Sequence, residues 1–160
     1  MTIRTALSLT TLIALSIALI GCDKPSPAET HDKSIGQFEL VAADNAALPA
    51  PVFDGIVIAD PAPSFHLRVE ATSGSITIDA TGHYEQRVNQ DAFIDGTLGG
   101  HRTHVDRGEC TRSGGQLQCS SNYLENLEFS ATLVDGVLTI QQDLAGEGHI
   151  ATYRYQWKME

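Results

Sequence analysis

The chain is short of positive charge, with 10 Lys and Arg against 20 Asp and Glu and a formal net charge of −10 at pH 7. That balance argues against a nucleic-acid partner, which rewards a basic face, and against polybasic attraction to anionic lipid. It fits a solvated acidic surface or a cationic protein partner. Catalytic signatures are missing as well: there is no Gly-x-Ser-x-Gly elbow, no His-Glu-x-x-His helix and no phosphate loop ending in Gly-Lys-Ser/Thr. The chain is therefore read as non-enzymatic, with no catalytic residues and no resident cofactor or metal. Long apolar runs are scarce too. The uncharged stretch Ala6 to Ile20 has 15 residues, short of the roughly 20 that a spanning helix needs. Helical periodicity is lacking throughout the rest.

What is present begins with that stretch. A free amine and Arg4 precede it, and Leu19-Ile20-Gly21-Cys22 closes it, the layout of an export signal. The tetrapeptide resembles the lipobox of bacterial lipoproteins. The resemblance implies cleavage before Cys22, with diacylglycerol on its sulfur and an acyl chain such as palmitate on its amine. Two or more acyl chains anchor stably where one does not, so the expected location is the cell envelope, lipid-anchored and facing the periplasm. Residues 1–21 are then the signal peptide. Asp23 after the lipidated cysteine resembles an inner-membrane retention signal, and the choice between inner and outer membrane stays open. Cleavage leaves 139 residues, losing only Arg4 of the basic residues and none of the acidic ones, for a net charge of −11.

Residues 22–34 read as a flexible tether: Asp23 to Ser34 is polar, contains two prolines and has no apolar period. A chain of this length sets a domain roughly 20 Å from its anchor. His31 lies in it and is read as solvated. Residues 35–160 form the folded domain.

Register tests the strands of that domain. A turn at Ser73-Gly74 would oppose Ala71 with Ile76, Val69 with Ile78 and Leu67 with Ala80, leaving His66, Arg68 and Glu70 on a polar face. A turn at Asp135-Gly136 opposes Leu133 with Leu138, Ala131 with Ile140 and Phe129 with Gln142. A turn at Gly114-Gly115 places Cys110 opposite Cys119 at a non-hydrogen-bonded pair, about 4.5 Å between Cα atoms, a span that a disulfide bridges. With Cys22 acylated and the compartment oxidising, Cys110 and Cys119 are expected to close that bond. The other reading, a redox-active pair, would call for Cys-x-x-Cys at a helix N-terminus.

Strands are expected near 36–42, 64–72, 75–88, 101–112, 116–122, 126–134, 137–144 and 149–158. The stretch from Ala43 to Pro63 reads as an irregular connection around a possible short strand at Gly55 to Ala59. Gly96, Gly99 and Gly100 suggest a bulge, a long turn or both. His101 and His104 share a metal site only if their segment is a loop, because on a strand that spacing sends them to opposite faces. Asn89, Asp91 and Asp95-Gly96 lack the alternation of a calcium loop and read as a polar turn.

Successive hairpins with one apolar face must roll up to cover it. The expected fold is an all-β, about eight-stranded antiparallel up-and-down barrel, with a two-sheet sandwich as the alternative. Gly36-Gln-Phe-Glu-Leu40, Leu48-Pro49, Gly82-His-Tyr84, Asp106-Arg-Gly-Glu-Cys110 and Gly136-Val-Leu-Thr-Ile140 resemble landmarks of small lipocalin-like bacterial lipoproteins, with Cys110 standing where those often carry an aromatic. The resemblance implies a barrel of just the size to hold one small ligand or to fill with side chains. Phe38, Tyr84, Tyr153, Tyr155 and Trp157 are the candidate lining of a site for a small apolar or aromatic molecule, or simply core. The second reading is a protein-binding or hydrolase-inhibiting lipoprotein that meets a cationic protein through its loops and acidic surface.

Overall fold

The computed structural model describes residues 35–58, 61–123, 128–144 and 148–158. Cys22, the signal peptide and the tether lie outside the described residues. Among the described residues ten strands follow one another: β1 (Gly36–Ala43), β2 (Ala46–Ala47), β3 (Ala50–Val57), β4 (Phe65–Ile78), β5 (His83–Ile94), β6 (Thr97–Ser113), β7 (Gln116–Ser121), β8 (Glu128–Val134), β9 (Val137–Gln142) and β10 (Ala151–Trp157). All pair antiparallel, and eight of them close a ring in the order β1, β10, β9, β8, β7, β6, β5, β4 and back to β1. The two short additions sit at the seam, β2 on β1 and β3 on β4. Closure removes the edges that an open meander would leave unpaired, which excludes the sandwich.

The seam depends on β4. It has 14 residues, enough for its first half to pair with β3 over 65–71 while its second half pairs with β1 from Ser75 to Ile78. The expected turn at Ser73-Gly74 is therefore corrected. The chain runs straight through, and the reversal into β5 comes at Asp79–Gly82, where the Gly82 amide donates to the Asp79 carbonyl. At Thr72 the ladder with β5 slips by one residue, between the pairs Ala71 with Gln90 and Ser73 with Asn89. Such a bulge flips the alternation, so Val69 and Ala71 before it and Ile76 and Ile78 after it all face the core. A two-residue turn gives the same inside-outside pattern, which is why register alone favoured the hairpin. Gly74 is needed for room rather than for a turn: a Cβ there would stand 2.6 Å from the Arg87 carbonyl oxygen and 3.3 Å from Leu40.

The other two hairpins form in the expected register. Asp135 and Gly136 both take positive φ, 50° and 77°, as a type I′ turn demands, and Leu133 faces Leu138 while Ala131 faces Ile140. Cys110 pairs with Cys119 across the Gly114-Gly115 turn and is bonded to it, with Cα atoms 4.0 Å apart. Both sulfurs face inward. On the loop-entropy account so short a loop contributes roughly 2 to 3 kcal/mol. Replacing both cysteines by Ser should lower urea stability by about that much and leave the β-sheet circular dichroism unchanged.

Two regions hold structure that the pattern did not resolve. Residues 43–63 carry β2 and β3 in place of a largely irregular connection, with β3 beginning at Ala50 and overlapping the short strand expected at Gly55 to Ala59 as far as Val57. Between 88 and 108 a type I′ turn at Asp95-Gly96 (φ 48° and 80°) joins two long strands, and a bulge at Gly99 follows immediately. The core fills the ring from both sides of the seam, with Phe38, Ile76, Leu138, Ile140, Tyr153 and Tyr155 all within 1 % of full burial.

Candidate functional site

The five aromatic candidates divide by depth. Phe38, Tyr84, Tyr153 and Tyr155 are buried inside the ring, and Tyr84 meets Phe129 edge to face at 5.5 Å. Trp157 is half-buried at the end where β1 begins, against Gly36. His101 and His104 lie on opposite faces of β6. His101 points out and meets Asp91 at 2.6 Å, whereas His104 lies on the inward row. Among the described residues no group of three or more His, Cys, Asp or Glu side chains is placed to hold a metal ion.

The ring also contains polar residues that the aromatic pattern does not announce. The inward row of β5 runs Tyr84, Gln86, Val88, Gln90, and in register with it the inward row of β6 runs Gly108, Asp106, His104, Arg102. Gln86, Gln90, Asp106 and Gln142 are each no more than 2 % exposed. Their parity with Tyr84 and Cys110 was readable, but glutamine and aspartate at core parity look like surface residues of an imperfect strand unless closure of the ring is known.

Asp106 is fully provided for. It accepts from the Tyr84 hydroxyl at 2.7 Å, from the Ser121 hydroxyl at 2.6 Å and from the Arg107 backbone amide at 2.9 Å. Burial and the neighbouring carboxylate push the Tyr84 phenol far above its ordinary range, so it remains a donor. This knot fixes β5, β6 and β7 to one another at one level of the barrel.

One level away the accounting changes. The Gln86 amide donates to the Tyr155 hydroxyl at 2.7 Å, yet its carbonyl oxygen has no partner among the described residues. Arg102 donates to the Gln90 carbonyl at 2.7 Å and to the Leu144 backbone carbonyl at 3.3 Å, bridging β6 to the segment after β9. His104 Nε2 and both polar atoms of Gln142 have no hydrogen-bond partner among the described residues, whereas the Gln90 side chain hydrogen-bonds the Tyr153 hydroxyl. Burial lowers the pKa of His104, which keeps its ring neutral at pH 7, and burial raises that of the Tyr153 and Tyr155 phenols. Each orphaned buried group costs about 1–3 kcal/mol.

A concavity lies on the outer face where β1 crosses β4, a groove of about 580 Å³ lined by Gln37, Glu39, Ser75, Arg87, Asn89 and Thr103 among others. Several of its polar groups are paired: Asn89 donates to Ser73, Thr103 donates to Asn89, Arg87 meets Glu85 and Glu39 meets Lys158.

These observations define an eight-stranded antiparallel barrel, lipocalin-like in architecture, with a partly polar interior. Comparison of the chain with protein-family models, with curated proteins and with solved structures finds no match.

Proposed function

We propose that this protein is a lipid-anchored component of the bacterial cell envelope, without enzymatic activity, whose barrel holds one small molecule. The supporting observation is the row of buried polar side chains, Gln86, Gln90, Asp106 and Gln142, facing the inside of a closed ring beside the aromatic walls of Phe38, Tyr84, Tyr153 and Tyr155. A barrel that served only as a spacer would gain stability by filling those positions with apolar side chains. Export and anchoring rest on the lipobox ending at Cys22.

Two measurements test the two halves. Metabolic labelling with palmitate should mark the wild-type protein, and Cys22→Ser should abolish the label and release the protein from membranes. A labelled Cys22→Ser variant would remove the anchor from the account. Native mass spectrometry of the full chain extracted from membranes should show a non-covalent small-molecule mass that disappears on denaturation. A bare protein mass would count against the holding role. It would turn attention to the second reading, a cationic protein partner drawn by the −11 charge, for which salt-sensitive capture of a basic hydrolase is the expected sign.

A further inference from the structure

We infer that the outer groove where β1 leaves β4 binds a small hydroxyl-rich monoanion of the sugar-acid kind, with Arg87 anchoring its carboxylate and Gln37, Ser73 and Ser75 donating to its other oxygens. The site lies outside the ring, goes beyond the interior reading above and does not depend on it.

A fork in the fold makes the groove. β1 pairs with β4 only from Ser75 to Ile78, and β3 pairs with β4 only as far as Ala71. Among the described residues Thr72, Ser73 and Gly74 therefore have no strand beside them on that side. The concavity of about 580 Å³ that opens there is within the range of small-molecule sites. Leu40 is the one large apolar side chain among its lining residues, and it is 6 % exposed. An apolar or aromatic ligand would find nothing to bury itself against.

Strand register fixes what the walls offer. Ser73, Asn89 and Thr103 stand in one row across β4, β5 and β6, and Glu39, Ser75 and Arg87 stand in a neighbouring row across β1, β4 and β5. In the first row Thr103 donates to Asn89 Oδ1 at 2.7 Å and Asn89 Nδ2 donates to Ser73 Oγ at 2.8 Å. The relay ends on Ser73, whose own proton is left to give. In the second row Arg87 Nε donates to Glu85 at 2.6 Å, and the other oxygen of that carboxylate accepts from Arg107 Nε at 2.6 Å. A guanidinium carries more N–H donors than one carboxylate oxygen can take.

The charge follows the same grid. Two guanidiniums share the Glu85 carboxylate, while Glu39 on the opposite wall is met by Lys158 at 2.7 Å. One positive charge is left over at the groove, on a chain whose overall charge is −10. That surplus matches a single carboxylate, which a guanidinium fork holds through two parallel donors. A phosphate ester, at roughly two negative charges, would press against Glu39. The groove runs on past Asn89 into a notch of about 290 Å³ beside Thr72, Asp91 and His101. Asp91 is paired there with His101 at 2.6 Å, so hydroxyls rather than the acid belong at that end.

The test is a titration of the full chain in detergent at low ionic strength, followed through the backbone amides of Ser73, Ser75 and Arg87 in ¹H–¹⁵N spectra. Glucuronate is the monoanionic probe, glucose its neutral counterpart, acetate the anion without hydroxyls and glucose 6-phosphate the dianion. Glucuronate should shift these amides saturably, with each of the others at least about tenfold weaker. Arg87→Gln should weaken glucuronate at least about tenfold, Arg87→Lys should restore part of the loss, and Ser73→Ala should cost about threefold. Arg112→Gln removes the same charge beside the Gly114-Gly115 turn and should leave binding unchanged. Unchanged β-sheet dichroism certifies each variant as folded. Glucose binding as tightly as glucuronate, or glucuronate binding that survives Arg87→Gln, overturns the anchor. Tightest binding of glucose 6-phosphate overturns the monoanion. An equal loss in Arg112→Gln, or no saturable shift with any probe, overturns the site.

Discussion

Raising the pH above about 10 should unfold the barrel steeply. Tyr84, Tyr153 and Tyr155 are at most 3 % exposed, and burial raises all three phenols well above their ordinary value of 10.0. A group whose ionisation is raised on folding stabilises the fold fully below its unfolded value and progressively loses that contribution above it. In the unfolded chain the three phenols ionise near pH 10, while in the folded barrel they stay protonated. The unfolded state then binds up to three fewer protons. Stability falls by as much as about 4 kcal/mol per pH unit, at roughly 1.4 kcal/mol per group. Urea titrations between pH 8 and 12 should show a flat region followed by that fall, with tyrosinate absorbance and loss of β-sheet dichroism rising together. Tyr155→Phe should reduce the slope by about a third. Tyrosinate appearing well before the sheet is lost would mean that water reaches these hydroxyls in the folded state.

The second large effect is expected from a single methyl group. A Cβ on Gly108 would collide with the Ser120 backbone oxygen and lie 2.8 Å from the Tyr84 ring. The nearer obstacle is the backbone of β7, in the ladder that pairs Gly108 with Ser121, so no rotamer change relieves the clash. Gly108→Ala must push β7 away from β6 and also crowds the Tyr84 ring. It should cost at least about 3 kcal/mol, which in a domain of this size lowers the melting temperature by roughly 10 °C or more. Gly100→Ala on the same strand is the control. Nothing lies within 4 Å of the Cβ it would add, and its effect should be within about 0.5 kcal/mol of neutral. Equal melting temperatures for the two variants would show that β6 and β7 are not packed as described.

Particular residues show where the sequence was legible. Asp135-Gly136 and Gly114-Gly115 each sit at the centre of a run whose two arms match pair by pair, so a local count was enough to place Leu133 opposite Leu138 and Cys110 opposite Cys119. Asp95-Gly96 is as good a turn by composition. The bulge at Gly99 breaks the match on one arm, so composition marked the polar turn there but not the register of the two strands it joins. Thr72 misled in the opposite sense, because an extra residue in a strand and a tight turn both shift alternation by one. Only the long-range partners, β3 and β1 on the two halves of β4, decide between them.

The candidate site was legible in its aromatic half and hidden in its polar half. Tyr153 and Tyr155 stand at alternate positions in a strand of evident polarity. Gln86, Gln90 and Asp106 occupy core parity with surface chemistry, and nothing local distinguishes a buried glutamine from an exposed one on an irregular strand.

Alternation, turn dipeptides and cysteine spacing by themselves determined an all-β chain of hairpins with one apolar face and a bridged β6–β7 ribbon, since each depends on neighbours within one hairpin. Closure of the ring through β1 and β4, the bulge at Thr72 and the buried polar row inside were decided only by the tertiary structure. They arise from contacts between strands distant in the chain, and whether a side chain ends in water or inside the ring depends on which strands those contacts bring round to face it.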